Sequence, residues 1–166
     1  MTDSDPIFED SLPALDFPEY HFVIRKHQGK KEIFDFIRRK YVALTPEEWV
    51  RQHTLHYLNE QLHIPAGLII VEKSLSLNTL AKRADILVYD KKARPCMLVE
   101  CKAAGVKVTQ YVFEQIAHYN IEFKVKYLFV TNGIEHFVFM VDHQTRKITA
   151  LKHFPDWGEL NLTKED

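Results

Sequence analysis

Residues Arg83 to Lys102 constrain this chain more than any other stretch. Arg-Ala-Asp-Ile-Leu-Val-Tyr-Asp is followed by Lys-Lys-Ala-Arg-Pro and then by Cys-Met-Leu-Val-Glu-Cys-Lys. Two apolar runs rich in Ile, Leu and Val flank a polar, proline-containing break, which is the pattern of a strand, a turn and a strand. A loop over Asp90 to Pro95 pairs Tyr89 with Cys96, Leu87 with Leu98 and Asp85 with Glu100. Directly opposed residues have Cβ atoms roughly 5 Å apart, where like charges repel. Lys102 lies two residues beyond Glu100 and shares its face, whereas Cys101 points to the back of the sheet. A hairpin that aims two carboxylates at each other needs a cation between them, because charges inside a sheet core are costly unless paired or bound to a metal. A slip of one residue would turn every side chain to the opposite face.

The length of 166 residues suits one domain, and 46% hydrophobic with 27% charged residues is ordinary for a globular core. The domain is expected over residues 20–154, preceded by an acidic, proline-containing arm over 1–19 and followed by a tail over 155–166. The formal net charge of -1 excludes a generally basic nucleic-acid binder, so contact with phosphate must come from a local patch or a metal. No apolar run approaches the ~20 residues needed to cross a membrane, and the N-terminus lacks a signal-peptide pattern. Cys96 and Cys101, the two cysteines, fall in one expected strand, which suits neither a disulfide nor a zinc knuckle and fits a reducing cytoplasm.

Gln28-Gly29 marks a turn between two weak strand patterns, His21 to Arg25 and Glu32 to Ile37, giving an N-terminal hairpin. Arg38-Arg39-Lys40 reads as a solvated basic cluster. Thr45-Pro46-Glu47-Glu48 opens the clearest helix, with Thr45 as N-cap, Pro46 in the first helical position and Glu48 at N3 of a capping box. Val50, Leu55, Leu58 and Leu62 give that helix an apolar face, and Pro65 ends it. A strand from Leu68 toward Leu77 leads into the central hairpin. A second helix over Val108 to Phe123, with Thr109 near its cap, sets Gln115 and Tyr119 on one face. Strands follow at Tyr127 to Thr131, Phe137 to Val141 and around Ile148 to Leu151. A strand–helix–strand unit after Lys102 crosses over right-handedly and makes its two strands parallel. The sum is an α/β sandwich with a mixed central sheet flanked by helices.

Hydrolysis of a phosphodiester needs a cation on the scissile phosphate, an activated water and help for the leaving oxygen, and one or two Mg2+ ions supply most of this. Mg2+ prefers carboxylate and carbonyl oxygens. Asp85 and Glu100 are the expected anionic ligands, with the backbone carbonyl of Cys101 as a third. Lys102 is placed to orient water or to steady developing charge. Glu48 is a candidate for a further acidic ligand, with Glu47 as its rival.

These residues carry a resemblance. Asp85 followed by Glu100-Cys101-Lys102 resembles the PD-(D/E)xK nuclease signature, and Gln115 to Tyr119 matches the Gln-x-x-x-Tyr extension of some of its branches. Leu44-Thr45-Pro46-Glu47-Glu48-Trp49-Val50-Arg51-Gln52, Lys82-Arg83-Ala84-Asp85, Val99-Glu100-Cys101-Lys102-Ala103 and Val130-Thr131-Asn132-Gly133 closely resemble the N-terminal nuclease domain of type I restriction enzyme R subunits. The resemblance covers about Tyr41 to Val141. It implies a restriction-endonuclease-like fold and Mg2+-dependent cleavage of DNA, with Mn2+ able to substitute. It also implies that Gln115 and Tyr119 lie beside the site, and that a helicase motor and specificity and methylation subunits are the partners. Ala84 stands where the name-giving proline would be, a position that sets backbone approach and not chemistry. The rival reading is a catalytically silent module that keeps the fold for contact with DNA or a partner. For Asp85, Glu100 and Lys102 the plain alternative is a structural ion cluster; for Gln115 and Tyr119 it is helix–sheet packing. His56 and His118 read as surface or satisfied core histidines, and Lys107, Lys124 and Lys126 as a solvated face or a DNA track.

Overall fold

The computed structural model describes residues 12–77 and 80–162, with the side chains of residues 73–83 and of residue 119 left out of the description. Two sheets form. The smaller is an antiparallel meander of β1 (Ile24–His27), β2 (Lys30–Asp35) and β3 (Lys40–Ala43). Gln28 and Gly29 both take positive φ between β1 and β2, as a two-residue hairpin turn of the right twist requires. The expected hairpin therefore gains a third strand, since Arg39 takes φ 54° and Lys40 begins β3; both stay exposed, as a solvated cluster requires.

The larger sheet has six strands in the order β4 (Ile69–Leu77), β5 (Leu80–Tyr89), β6 (Pro95–Cys101), β7 (Tyr127–Thr131), β8 (His136–Asp142) and β9 (Lys147–Ala150). Chain neighbours are sheet neighbours throughout. Only β6 and β7 run parallel, because helix α2 (Gln110–Phe123) crosses between them. Helix α1 (Pro46–His56) precedes β4, and its last turns widen into a π-helical stretch over Tyr57–Gln61. This is the mixed α/β sandwich anticipated above.

Alternation along the strands feeds two cores. Ile86, Val88, Met97, Val99, Cys101 and Phe129 pack with Val50, Leu55 and Leu58 from α1 and the turn after it. Leu87, Leu98, Leu128 and Val130 pack with Val112 and Ile116 of α2. Both cysteines are buried free thiols. Among the described residues no helix is long and apolar enough to cross a membrane.

The central hairpin departs from the expected register at its turn. Leu87 pairs with Leu98, but Tyr89 pairs with Pro95 and not with Cys96, because a bulge falls between Val88 and Tyr89. Asp90 organises the turn: its carboxylate accepts from the Lys92 and Arg94 backbone N–H groups at 2.8 and 3.0 Å and from Arg94 Nε at 3.0 Å.

Of the expected N-terminal arm, residues 1–11 lie outside the described residues. Residues 12–19 are tied down: Asp16 N donates to Gly133 O at 2.7 Å, and Trp49 Nε1 donates to Pro13 O at 3.0 Å. The Phe17 ring lies 4.6 Å from that of His136. After Pro155 the chain forms a short helix, α3 (Trp157–Leu160), closed by an Asp156–Glu159 capping box, and Leu160 enters the α1-side core.

Candidate functional site

The site sits where β5 and β6 leave the central hairpin. Pairing runs Leu87↔Leu98 and Ile86↔Val99 and stops one residue short of Asp85 and Glu100. Simple alternation does not continue through Asp85, however. Ala84 packs in the α2-side core and Ile86 in the α1-side core, although they are two residues apart. That break in the pleat lets Asp85 reach α1. Its Oδ1 accepts from Arg51 Nη2 at 3.1 Å, and its Oδ2 accepts from the Cys101 backbone N–H at 2.7 Å. The Cys101 side chain turns inward, its Sγ 3.8 Å from Thr54 Oγ1.

Glu100 comes within hydrogen-bonding reach of Asp85, and its Oε1 lies 3.2 Å from Lys102 Nζ. Burial first, and the Asp85 charge second, push the Glu100 carboxyl up to about 8, against the opposing pull of Lys102. Burial works against the Lys102 ammonium, but Glu100, with Glu47 and Asp85, outweighs it and holds its pKa above the ordinary lysine value. Lys102 is fixed from behind as well, since its backbone N–H donates to Thr131 O at 2.9 Å.

Helix α1 supplies the other wall. Thr45 caps it as expected, its Oγ1 accepting from Glu48 N at 3.0 Å. Glu48 does not complete a capping box. Its carboxylate accepts from Arg38 Nη2 at 2.6 Å, Arg51 Nη1 at 2.5 Å and Gln52 Nε2 at 2.9 Å, so both oxygens are taken. Glu47 is freer: its side chain is 45% exposed and it touches Arg51 at 3.2 Å. Burial and then Asp85 raise the Glu47 pKa, while Arg51 and Lys102 pull it down.

Behind Glu48 lies a group that the sequence reading missed. Arg38, read above as part of a solvated cluster, is only 15% exposed in its side chain and pairs with Asp35, Glu48 and Glu72 at 2.7, 2.6 and 3.4 Å. Asp35 is fully buried and accepts from Ile37 N, Arg38 N, Arg38 Nε and Gln52 Nε2. A continuous run of alternating charge therefore joins the end of β2 to β5: Asp35, Arg38, Glu48, Arg51, Asp85. Among the described residues, six carboxyl groups (Asp35, Glu47, Glu48, Glu72, Asp85 and Glu100) surround three cations, Arg38, Arg51 and Lys102. The signal was in the sequence: helical spacing puts Glu48, Arg51 and Gln52 beside Val50 and Leu55, which makes a buried stripe of α1 polar.

Gln115 is half-buried and its Nε2 donates to Tyr111 Oη at 3.0 Å, on its own helix. No hydrogen bond joins it to Lys102 among the described residues. The Tyr119 side chain lies outside the description. His118, Lys107, Lys124 and Lys126 are exposed, and His56 Nδ1 meets Glu60 at 2.5 Å.

No group of three or more His, Cys, Asp or Glu side chains is arranged to hold a metal among the described residues. The donors present at the site are carboxylate and carbonyl oxygens in an acidic surrounding, with one carboxyl titrating far above its usual range. That chemistry fits a hard divalent cation.

The model of the type I restriction enzyme R protein N terminus matches residues 46–155. The chain belongs to this family. The matched span opens at the first residue of α1 and runs through Asp85, Glu100 and Lys102. Among solved structures, a fragment of a putative HsdR subunit of a type I restriction enzyme from Vibrio vulnificus YJ016 is similar at 23% identity and a TM-score of 0.48. The similarity covers 70% of this chain and 24% of that one, so this chain spans about a quarter of its length. No curated protein matches the sequence.

Proposed function

We propose that this R-protein N-terminal domain is a metal-dependent DNA endonuclease. The observation that carries the reading is the meeting of the Asp85 and Glu100 carboxyls beside the Lys102 ammonium, with Glu100 pushed up to about 8. Two half-buried carboxyls that meet in this way resist joint ionisation unless a cation joins them. Asp85, Glu100 and the Cys101 backbone carbonyl are the residues that would hold Mg2+, or Mn2+ in its place. Of the two α1 glutamates we assign Glu47 as the further acidic ligand, because Glu48 is held by two guanidiniums, Arg38 and Arg51, and by Gln52, whereas Glu47 meets Arg51 alone and Asp85 one guanidinium and one backbone N–H.

When bound, the cation offsets charge that builds on the scissile phosphate. Lys102, kept charged by its acidic neighbours, steadies the same developing charge and orients the attacking water. Cys101 N–H fixes Asp85, and Thr131 O fixes the Lys102 backbone, so both groups meet substrate already in place. Gln115 and Tyr119 remain candidates on the strength of the family resemblance alone. A helicase motor and the specificity and methylation subunits of a restriction system are its partners in this reading, with target choice made by another subunit.

The test is plasmid nicking with Mn2+. Wild-type protein should convert supercoiled to open-circular DNA, and Lys102→Ala and Asp85→Asn should reduce this to background. Equal cleavage by all three, or none by wild type together with its partner subunits, refutes the reading. One observation favours a second reading: Arg51 already bridges Asp85, as a catalytically silent DNA- or partner-binding module would tolerate. That reading predicts salt-dependent DNA binding indifferent to chelator and to Asp85→Ala.

A further inference from the structure

We propose that Arg51 is a positioning residue that serves as the resident counter-cation of the site, holding Asp85 in place before metal arrives and keeping metal binding weak. This rests on the nuclease reading above and adds a determinant of metal affinity to it. Arg51 lies among four carboxylates: Nη1 is 2.5 Å from Glu48 and 3.7 Å from Glu72, and Nη2 is 3.1 Å from Asp85 and 3.2 Å from Glu47. Its side chain is only 6% exposed. A guanidinium stays charged at any working pH.

The guanidinium is also held where it is. Glu48 grips it, and Glu48 is itself gripped by Arg38 and Gln52, which are anchored on the fully buried Asp35. A cation entering between Asp85 and Glu100 therefore meets a fixed positive charge one carboxylate away. Charge repulsion at that range, in a partly buried setting, is little screened by salt. Two effects follow from one residue. Without metal, Arg51 neutralises part of the acidic excess and orders Asp85. With metal, the same charge competes for Asp85 Oδ1 and lowers affinity.

The test titrates Mn2+ calorimetrically into wild type, Arg51→Gln and Arg51→Lys, with thermal unfolding of each in chelator. Arg51→Gln should lower the melting temperature without metal and tighten Mn2+ binding by at least about tenfold. Arg51→Lys keeps the charge while losing the forked geometry, and should stay within about threefold of wild-type affinity, the change expected when charge dominates over geometry. Unchanged or weaker Mn2+ binding by Arg51→Gln overturns the proposal, even if that variant melts earlier. Should Arg51→Gln not fold, the lysine variant decides: a shift beyond about tenfold in either direction overturns it. If neither wild type nor any variant binds Mn2+, the nuclease reading itself fails, an outcome distinct from binding that ignores Arg51.

Discussion

Replacing Asp35 with alanine should cripple the fold, although Asp35 lies on the small sheet and at the far end of the ionic run from Asp85. Its side chain is fully buried, and both oxygens are used. Oδ1 accepts from Ile37 N at 2.9 Å and Arg38 N at 2.7 Å, and Oδ2 from Arg38 Nε at 2.7 Å and Gln52 Nε2 at 2.9 Å. Alanine removes all four bonds and leaves the Arg38 guanidinium with one fewer counter-charge. Breaking a buried, hydrogen-bonded ion pair from one side costs about 3–5 kcal/mol. The two freed backbone N–H groups lie in a half-buried turn that water reaches, so the lower end of that range applies. Against a total of about 5–15 kcal/mol for a domain, a loss of this size is large. Asp35→Asn should cost less, about 1–2 kcal/mol, the scale of one or two lost hydrogen bonds. Gln52 Nε2 also donates to Glu48, so the amide cannot turn over without losing that bond, and the cost is the mismatch between the introduced amide and the donors that faced Oδ2. Urea unfolding followed by circular dichroism reads the difference: the midpoint should fall with the slope unchanged. A loss below about 1 kcal/mol for Asp35→Ala, a size ordinary for a surface change, would refute the claim that this network is buried and satisfied.

Two further expectations concern stability. Gly133 takes φ +86°, and a Cβ there would fall 2.8 Å from Leu15 Cδ2, so Gly133→Ala should cost about 1–3 kcal/mol through strain and overpacking, read as a lowered thermal midpoint. Burial lowers the His53 pKa, with Trp49 O as its hydrogen-bond partner. A depressed pKa means that the unfolded chain binds the proton more readily, so the contribution of His53 is intact above its ordinary pKa near 6.5 and is lost as pH falls through its folded value. The stability gap between wild type and His53→Phe should therefore shift against wild type below that pH in urea titrations; parallel curves would show that His53 is not held neutral.

The parts of the fold that local rules govern were legible in the sequence. Thr45 and Pro46 mark the start of α1, Gln28-Gly29 the first turn, and the hydrophobic spacing sets β5, β6 and β7. The register of Leu87 with Leu98 followed from the hairpin alone, but the bulge at Val88 did not, because Asp90 reshapes the turn through contacts that no spacing encodes. Arg38 and Arg51 escaped notice for a different reason. A charged residue on an amphipathic helix or in a basic run looks solvated until its acidic partners are known, and those come from β2, β4 and β5 as well as from α1. Asp85, Glu100 and Lys102 stood out because charges inside apolar strands contradict the local pattern. Glu48 looked explained by its capping position, and that local explanation hid its bonds to Arg38 and Arg51.

The parallel pairing of β6 with β7 also dictates an order of assembly. Glu100 and Lys102 belong to a stretch whose second neighbour begins only at Tyr127, beyond the whole of α2. A chain emerging from the ribosome has the acidic hairpin exposed, with the Lys102 amide still lacking the Thr131 carbonyl, until α2 and then β7 have appeared. Long-range parallel pairing is slow to form. The acidic pair therefore acquires its final geometry late, after α1 and the hairpin have had time to set Arg51 against Asp85.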